Sequence, residues 1–392
     1  MTESQTLVPT TLDGSNDRIH LSHPDVGPAE EQAVLAALRS GWVAPAGPDL
    51  NAFEVEMGQR AGVSRAVGLS SGTAGLHLGL LALGVQPGDV VITTTLTFVA
   101  TANAIMYSGA EPFFIDVDPT TGNMDPHLLD VALHFLRHSN KRVGAVVPVD
   151  IFGKAADYTA IDEVAIGYEV PVLADAAEAA GSKHAGRPVG GFGDASVLSF
   201  NGNKIMTTSG GGMLLTDRDD IADKVRYLST QARQPVAHYE HTDVGYNYRL
   251  SNLLAALGRA QLSRLDDMIA RRRQIREHYR AWSTSRLGAH ILGGADDHDD
   301  NCWLTPVVFD ELKQQQSIET LINTMAAHNI EARRIWKPMH LQPVFSGAQS
   351  LLTGAAERLF DNGILLPSSS NMTDLHIHRV LNVLGSFLGG QQ

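Results

Sequence analysis

The sequence predicts an α/β protein: a large domain with a mainly parallel sheet, followed by a smaller C-terminal α+β domain. Three observations carry this. From residue 66 onward short β-branched runs alternate with helix-patterned stretches, the signature of repeated strand–helix crossovers. A chain of 392 residues with 43% hydrophobic content is long enough to bury two cores. Finally, SRLDDMIARRRQIREHYRAW reads as one long amphipathic helix, after which the strand–helix alternation gives way to a second unit.

Taken in order, residues 1–20 are polar and read as a tail or arm. PAEEQAVLAALRSG has apolar residues at helical spacing, with Pro28 at its start and Gly41 as its stop. AVGLSSGTAGLHLGLLALGV reads as strand, tight turn and helix, and DVVITTTLTFVATANAIMYSG repeats that order. Strand-like EPFFIDVD, VGAVVPVD, PVLADAAEAAG, ASVLSF and GGMLLTD follow. Arg271, Arg272 and Arg273 are expected on the wet face of the long helix. Beyond it, CWLTPVVF reads as a strand, SIETLINTMAAHN as a helix and TDLHIHRVLNVLGSFL as the last helix. The expected divisions are therefore 1–20, a tail; 21–265, the large domain; and 266–392, the small C-terminal domain.

Composition narrows the partners. Lys plus Arg number 30 against 43 Asp plus Glu, and the net charge of −13 opposes binding to nucleic acid or an anionic membrane surface. No apolar run approaches the roughly 18 residues that span a bilayer. The single cysteine, Cys302, has no partner for an internal disulfide and is expected to pack beside Trp303. The first residues carry no apolar signal core, so a cytoplasmic location is expected. DDHDD (296–300) reads as a solvated loop, and no metal site is expected.

The chemistry concentrates at strand ends. In SFNGNKIMTTSGGG, Lys204 stands between a strand and a glycine triplet that brings backbone close to something; a solvated loop lysine is the alternative. SSGTAGLHLGL begins a helix with small residues, either a phosphate seat or an ordinary N-cap. Asp175 ends an apolar strand with Glu178 three residues on, as a cap, a metal ligand, or the partner of a protonated ring nitrogen. Phe98 in TLTFVAT follows another strand, as a core residue or a stacking face. Pyridoxal phosphate would use all four pieces: a phosphate seat, a stacking face, a carboxylate for its ring nitrogen and a lysine for its aldehyde.

Over about residues 21–385 the chain resembles the DegT/DnrJ/EryC1/StrS family of nucleotide-sugar aminotransferases. The likeness rests on GWVAPAGP, SSGTAGLHLGL, TFVATANAI, VDIFGKAADY, LADAAEAAGS, SFNGNKIMTTSGGGM, GYNYRLSNLLAALGRAQL and KPMHLQPVF, all in the family's order. It implies the type I (aspartate aminotransferase) fold and pyridoxal 5'-phosphate as cofactor. Lys204 would then attach covalently to the cofactor and act as proton shuttle, and Asp175 would pair with the pyridine nitrogen. Gly72, Thr73, Ala74 and Ser199 would serve the phosphate, Phe98 would stack on the ring, and Glu178 would lie near it. Asn247 of GYNYRL would reach the phosphate of a neighbouring subunit's cofactor, which implies a homodimer with shared sites.

The segment FNGNKIMTTSGGG and IEARRIWKPMHLQPVF resemble enzymes that aminate C4 of a UDP-linked 4-keto-6-deoxy-N-acetylhexosamine on the way to bacillosamine. The resemblance thus implies transfer from L-glutamate to UDP-2-acetamido-2,6-dideoxy-4-hexulose for glycan biosynthesis. GDP-perosamine synthase-type or dTDP-sugar aminotransferases are the alternatives, with a non-transaminating protein of the same fold behind them. Arg249, Lys337 and His340 are the candidates for substrate contacts.

Overall fold

The computed structural model describes residues 17–139, 141–285, 288–310 and 317–389. Two helices come first, α1 (Pro28–Ser40) and α2 (Pro48–Ala61). Each starts with proline, whose missing N–H is not needed in a first turn, and ends at a glycine in the left-handed region, Gly41 at φ 80° and Gly62 at φ 71°. The sequence reading anticipated α1 and missed α2.

The alternating region forms β1 (Arg65–Leu69), α3 (Gly72–Ala82), β2 (Val90–Thr94), α4 (Val99–Tyr107), β3 (Glu111–Ile115), α5 (Pro126–Arg137), β4 (Val143–Val147), α6 (Tyr158–Tyr168) and β5 (Leu173–Asp175). A hairpin of two-residue strands, β6 (Lys183–His184) and β7 (Arg187–Pro188), precedes β8 (Ala195–Ser199), β9 (Gly212–Thr216), α7 (Asp219–Ser229) and α8 (Asn252–Ser263). Strands β1-β9-β8-β5 form one stretch of sheet and β4-β2-β3 another, linked by parallel bridges from Val146 to Val172 and from Val149 to Asp175. Only β9 runs against the rest. Every residue of β2 and β9 is buried, as expected of strands covered on both faces. Helix α3 lies directly on the strands because its glycines leave room. A Cβ on Gly75 would stand 2.7 Å from Val197, and one on Gly79 2.9 Å from Leu173.

The parallel arrangement sends the carboxyl ends of β1, β2, β4, β5 and β8 to one edge of the sheet, where open α/β sheets hold their ligands. The loop from Ser199 to Gly212 crosses that edge and carries Lys204.

The remaining chain opens with α9 (Leu265–Thr284) and continues through β10 (Ala289–Ile291), β11 (Thr305–Phe309), α10 (Ile318–Ala327), β12 (Arg333–Arg334), β13 (Gln349–Leu351), α11 (Ala355–Asn362), β14 (Gly363–Leu366) and α12 (Asp374–Gly389). An antiparallel sheet, β10-β11-β14-β12, packs with Tyr279, Leu321, Met325, Val380 and Leu384 into its own core. Strand β13 does not join it but pairs in parallel with β3 of the large sheet. Just beyond β3, the buried Asp116 accepts from the backbone N–H groups of Thr353 and Ala355 at 2.7 and 3.0 Å through one oxygen and from Ala356 at 2.9 Å through the other, seating the start of α11.

Three expectations are corrected. Arg272 is not on the wet face of α9: its side chain is 1% exposed and donates to the Trp303 carbonyl oxygen at 2.6 Å, while one turn later Arg276 donates to the Leu304 carbonyl at 2.8 Å. These guanidiniums satisfy carbonyls of an irregular segment that has no strand partner there, and burial pushes the Arg272 guanidinium down to about 10. The DDHDD segment is also not wholly solvated. Asp300 is buried within 3.5 Å of Lys154 and Arg276, and Asp297 pairs with Arg276 and Arg280. Lastly, of the expected tail, residues 1–16 lie outside the described residues, whereas Ile19 is buried in a parallel bridge to Ile330. Cys302 is buried as expected. No helix among the described residues is long and apolar enough to cross a membrane.

Candidate active site

A cavity of about 650 Å³ opens at the carboxyl edge of the sheet. Lys204 enters it from the loop after β8. The loop turns through a Lys204 N–H bond to the Asn201 carbonyl at 3.0 Å, and the side chain is only 10% exposed. Its Nζ donates to Glu178 Oε1 at 3.3 Å and lies 4.1 Å from the centroid of the Trp303 ring. The Trp303 indole is itself fixed by donating from Nε1 to the Asn203 carbonyl at 2.7 Å. Glu178 accepts from the Phe152 N–H at 2.7 Å through its other oxygen. Burial pushes its carboxyl up to about 7, against the pull of the Lys204 charge.

Asp175 closes β5 at the floor of the cavity. Its Oδ2 accepts from Thr101 Oγ1 at 2.7 Å and its Oδ1 from the Ala177 N–H at 3.2 Å. Burial raises its carboxyl above the usual range, and only the Thr101 and Ala177 bonds and the Lys204 charge counter that. A carboxylate so placed lacks a cationic partner in contact, and a protonated ring nitrogen is a group of matching chemistry.

On the opposite side of the cavity stands the start of α3. Ser71 caps it, accepting from the Ala74 N–H at 3.0 Å, so that N–H is already spent. Gly72 and Thr73 line the cavity, and their N–H groups stand at the positive end of the helix. Ser199 touches the same turn: a Cβ on Gly72 would stand 3.0 Å from the Ser199 Cβ, and a Cβ on Gly212 would meet the Gly72 nitrogen at 2.5 Å. Glycine at both positions lets the helix start and the lysine loop approach this closely. Phe98, the N-cap residue of α4, lines the cavity with 55% of its surface exposed, its ring 5.6 Å from that of Trp336. The residues present therefore fit pyridoxal phosphate: an amine, a buried carboxylate, a helix start for the phosphate and an open aromatic face.

The structure brings Gly72, Thr73, Phe98, Asp175, Glu178, Ser199 and Lys204 to one cavity. The other expected residues lie elsewhere. Ala74 is buried behind its cap. Asn247 is exposed, with its backbone bridged to Thr230, and Lys337 is also exposed, neither lining the cavity. Arg249 is buried in an ion pair with Glu54 at 2.6 Å and donates to the Gly68 carbonyl at 2.8 Å. His340 Nδ1 lies 2.7 Å from Thr95 Oγ1 and its Nε2 3.1 Å from Glu357 Oε1. Conversely, Trp303, Trp336, Thr101, Arg333 and His23, and His20 of the expected tail, belong to the cavity or its supports and were not read from the sequence. The fold and this arrangement define a pyridoxal phosphate-dependent aminotransferase of the type I fold.

Comparisons with known proteins agree. Residues 24–385 match the DegT/DnrJ/EryC1/StrS aminotransferase family, and the chain belongs to that family. It is 42% identical over 371 residues to EpsN of Bacillus subtilis, which bears the name of a pyridoxal phosphate-dependent aminotransferase, covering 94% of this chain and 95% of that one. It is 34% identical to the GDP-perosamine synthase of Caulobacter vibrioides over 95% of this chain and 98% of the relative. Among solved structures, PseC of Helicobacter pylori, an aminotransferase involved in pseudoaminic acid biosynthesis, superposes with a TM-score of 0.88 at 23% identity, covering 96% of this chain and all of that one. The aminotransferase TlmJ of Streptoalloteichus hindustanus superposes with a TM-score of 0.86 at 29% identity, over 95% and 99% of the two chains.

Proposed function

We propose that this enzyme moves the amino group of L-glutamate to C4 of a nucleotide-linked 4-keto-6-deoxy sugar, with UDP-2-acetamido-2,6-dideoxy-4-hexulose as the first candidate. The observation that carries the aminotransfer is the Lys204 amine, held between Glu178 and Trp303 inside a cavity floored by Asp175. When bound, pyridoxal phosphate supplies an aldehyde for the migrating amino group and a ring that draws electrons from the reacting carbon. Lys204 would anchor it, and the Lys204 Nζ would be the group that moves the proton during the transfer. Asp175, steadied by Thr101, holds the proton of the ring nitrogen. Glu178 holds the Lys204 amine in place, and Gly72, Thr73 and Ser199 seat the phosphate. In balance, the amino group of glutamate replaces the keto oxygen of the sugar, and 2-oxoglutarate leaves.

The active unit in this reading is a homodimer, with Asn247 of each chain completing the neighbour's phosphate seat; its exposure in the single chain supports that role. Residues 21–265 form the cofactor-binding domain and 266–392 the small domain. A GDP-linked 4-keto-6-deoxy sugar is the second reading, supported by the 34% identical GDP-perosamine synthase. The test is to incubate the cofactor-loaded protein with glutamate and UDP-, GDP- and dTDP-4-keto-6-deoxy sugars and identify the product by mass and NMR. Amination of the UDP sugar is expected; exclusive turnover of the GDP sugar transfers the assignment, and turnover of none removes it.

A further inference from the structure

We propose that Arg333, with His20 and His23 beside it, forms the seat for the diphosphate of the nucleotide-sugar substrate at the mouth of the cavity. The proposal rests on the nucleotide-sugar reading above and names the residues that would recognise the charged part of that molecule.

Two segments far apart in sequence build this mouth. The Ile19 N–H donates to the Asn329 carbonyl at 3.0 Å, and the Glu331 N–H donates to the Ile19 carbonyl at 2.8 Å, so the first described residues lie alongside the approach to β12. Alternation in extended chain then sorts the side chains. Ile19, Ile330 and Ala332 are buried away from the cavity, Leu21 is buried at its wall, and His20, Glu331 and Arg333 line it. His23 follows, its ring 5.3 Å from that of His20 and oriented by a 2.8 Å contact of Nδ1 with the Pro24 carbonyl.

Charge decides what this mouth takes. The inner part of the cavity holds Asp175 and Glu178 against the single amine of Lys204. A second dianion, beyond the cofactor phosphate at the start of α3, is disfavoured beside these carboxylates, and a pyranose ring in any case separates the reacting C4 from the diphosphate, which must stay outward. The protein as a whole carries −13, so it does not attract anions without local cations. Among the described residues that line the cavity, Arg333 is the one arginine, and apart from Lys204 no lysine is present. Its Nε and Nη2 donate to Glu331 Oε1 at 3.1 and 2.8 Å, its side chain is 68% exposed, and Nη1 has no partner among the described residues. Glu331 is shared: its second oxygen accepts from the Leu21 N–H at 3.2 Å and lies 3.6 Å from His20 Nδ1. A guanidinium held by one edge and open on the other is arranged to bind a phosphate oxygen by a charge-assisted bond.

The experiment titrates cofactor-loaded protein with UDP, GDP and dTDP by calorimetry, which needs no turnover. In parallel, the glutamate-dependent change of the cofactor absorbance gives the half-saturation for the donor. Arg333→Gln is expected to weaken nucleotide binding about tenfold and Arg333→Lys about threefold, with glutamate half-saturation unchanged. Glu331→Gln, which frees the guanidinium, is expected to tighten nucleotide binding, an effect of opposite sign that loss of structure does not produce. Equal affinity of wild type and Arg333→Gln overturns the proposal, as does weaker binding in Glu331→Gln. A rise in glutamate half-saturation with unchanged nucleotide affinity also overturns it and assigns the guanidinium to the donor carboxylate. If wild-type protein binds none of UDP, GDP or dTDP, the nucleotide-sugar reading itself fails, and the seat with it.

Discussion

The Lys204 amine lies 4.1 Å from the centre of the Trp303 ring and 3.3 Å from Glu178, so an aromatic face and a carboxylate together fix the position of one charged group. The indole cannot drift, since its own N–H is spent on the Asn203 carbonyl next to Lys204 in the chain. Replacing Trp303 by phenylalanine keeps a face and loses that hydrogen bond; replacing it by leucine loses both. A cation–π contact of this kind contributes about 0.5–2 kcal/mol. We expect Trp303→Phe to slow glutamate-driven single turnovers by a few fold and Trp303→Leu by roughly ten- to a hundredfold. Equal rates in the two variants would show that packing alone matters.

Asp175→Asn preserves volume and can still accept from Thr101, but it supplies no negative charge to the ring nitrogen. The expected outcome is a loss of about a hundredfold or more in kcat, at roughly 1.4 kcal/mol per tenfold, with a melting temperature close to wild type. Near-normal kcat would reduce Asp175 to a strand cap.

Asp150 gives a pH prediction. It is fully buried, one oxygen accepts from the Ala156 N–H and the Tyr158 hydroxyl, both at 2.8 Å, and the other has no partner among the described residues. Burial pushes its carboxyl up to about 8. The folded protein therefore keeps a proton that the unfolded chain, near its ordinary value of 3.8, gives up. Where the native state binds more protons, stability falls as pH rises, so this carboxyl costs stability progressively between about pH 4 and 8. Asp150→Asn mimics the protonated form. Its melting temperature is expected to come closest to wild type near pH 4 and to exceed it increasingly toward pH 8; a uniform loss across that range would refute this account.

Shared sites are tested by mixing. In a dimer of one Lys204→Ala chain and one Asn247→Ala chain, one site would carry both lesions and the other neither. Random exchange should restore about a quarter of wild-type activity. No recovery after exchange is demonstrated, or full activity in a monomer, would return Asn247 to a turn residue.

What could be read from the sequence follows from distance along the chain. Lys204, Asp175 and the start of α3 each sit in a short string whose glycines, strand and helix start are local, so the strand ends that gather at the cavity were visible. Arg272 was misplaced because charge normally marks the solvent face; only the unpaired carbonyls of 303 and 304, brought up by tertiary packing, explain a buried guanidinium. Arg249 looked like an anion contact, yet it is committed to Glu54, nearly 200 residues earlier. His20 and Arg333 meet only through the Ile19–Ile330 bridge, which no local pattern announces. Helix α2 carried a readable signal, Pro48 ahead of apolar residues 50, 53, 57 and 61, but its many polar residues diluted the pattern.

Strand β13 and the Asp116 seat for α11 stitch a late stretch of the chain into the early sheet, so β14, which the small sheet needs, is delivered by a helix that starts on the large one. Neither half can melt without unfastening the other, and heat or urea should unfold the described structure in a single sigmoidal step instead of two. Cutting the chain ahead of residue 349 would also strip the cover from β3 and leave a bare strand edge open to pairing with another molecule. The lacing is thus a safeguard against aggregation as much as a source of cohesion.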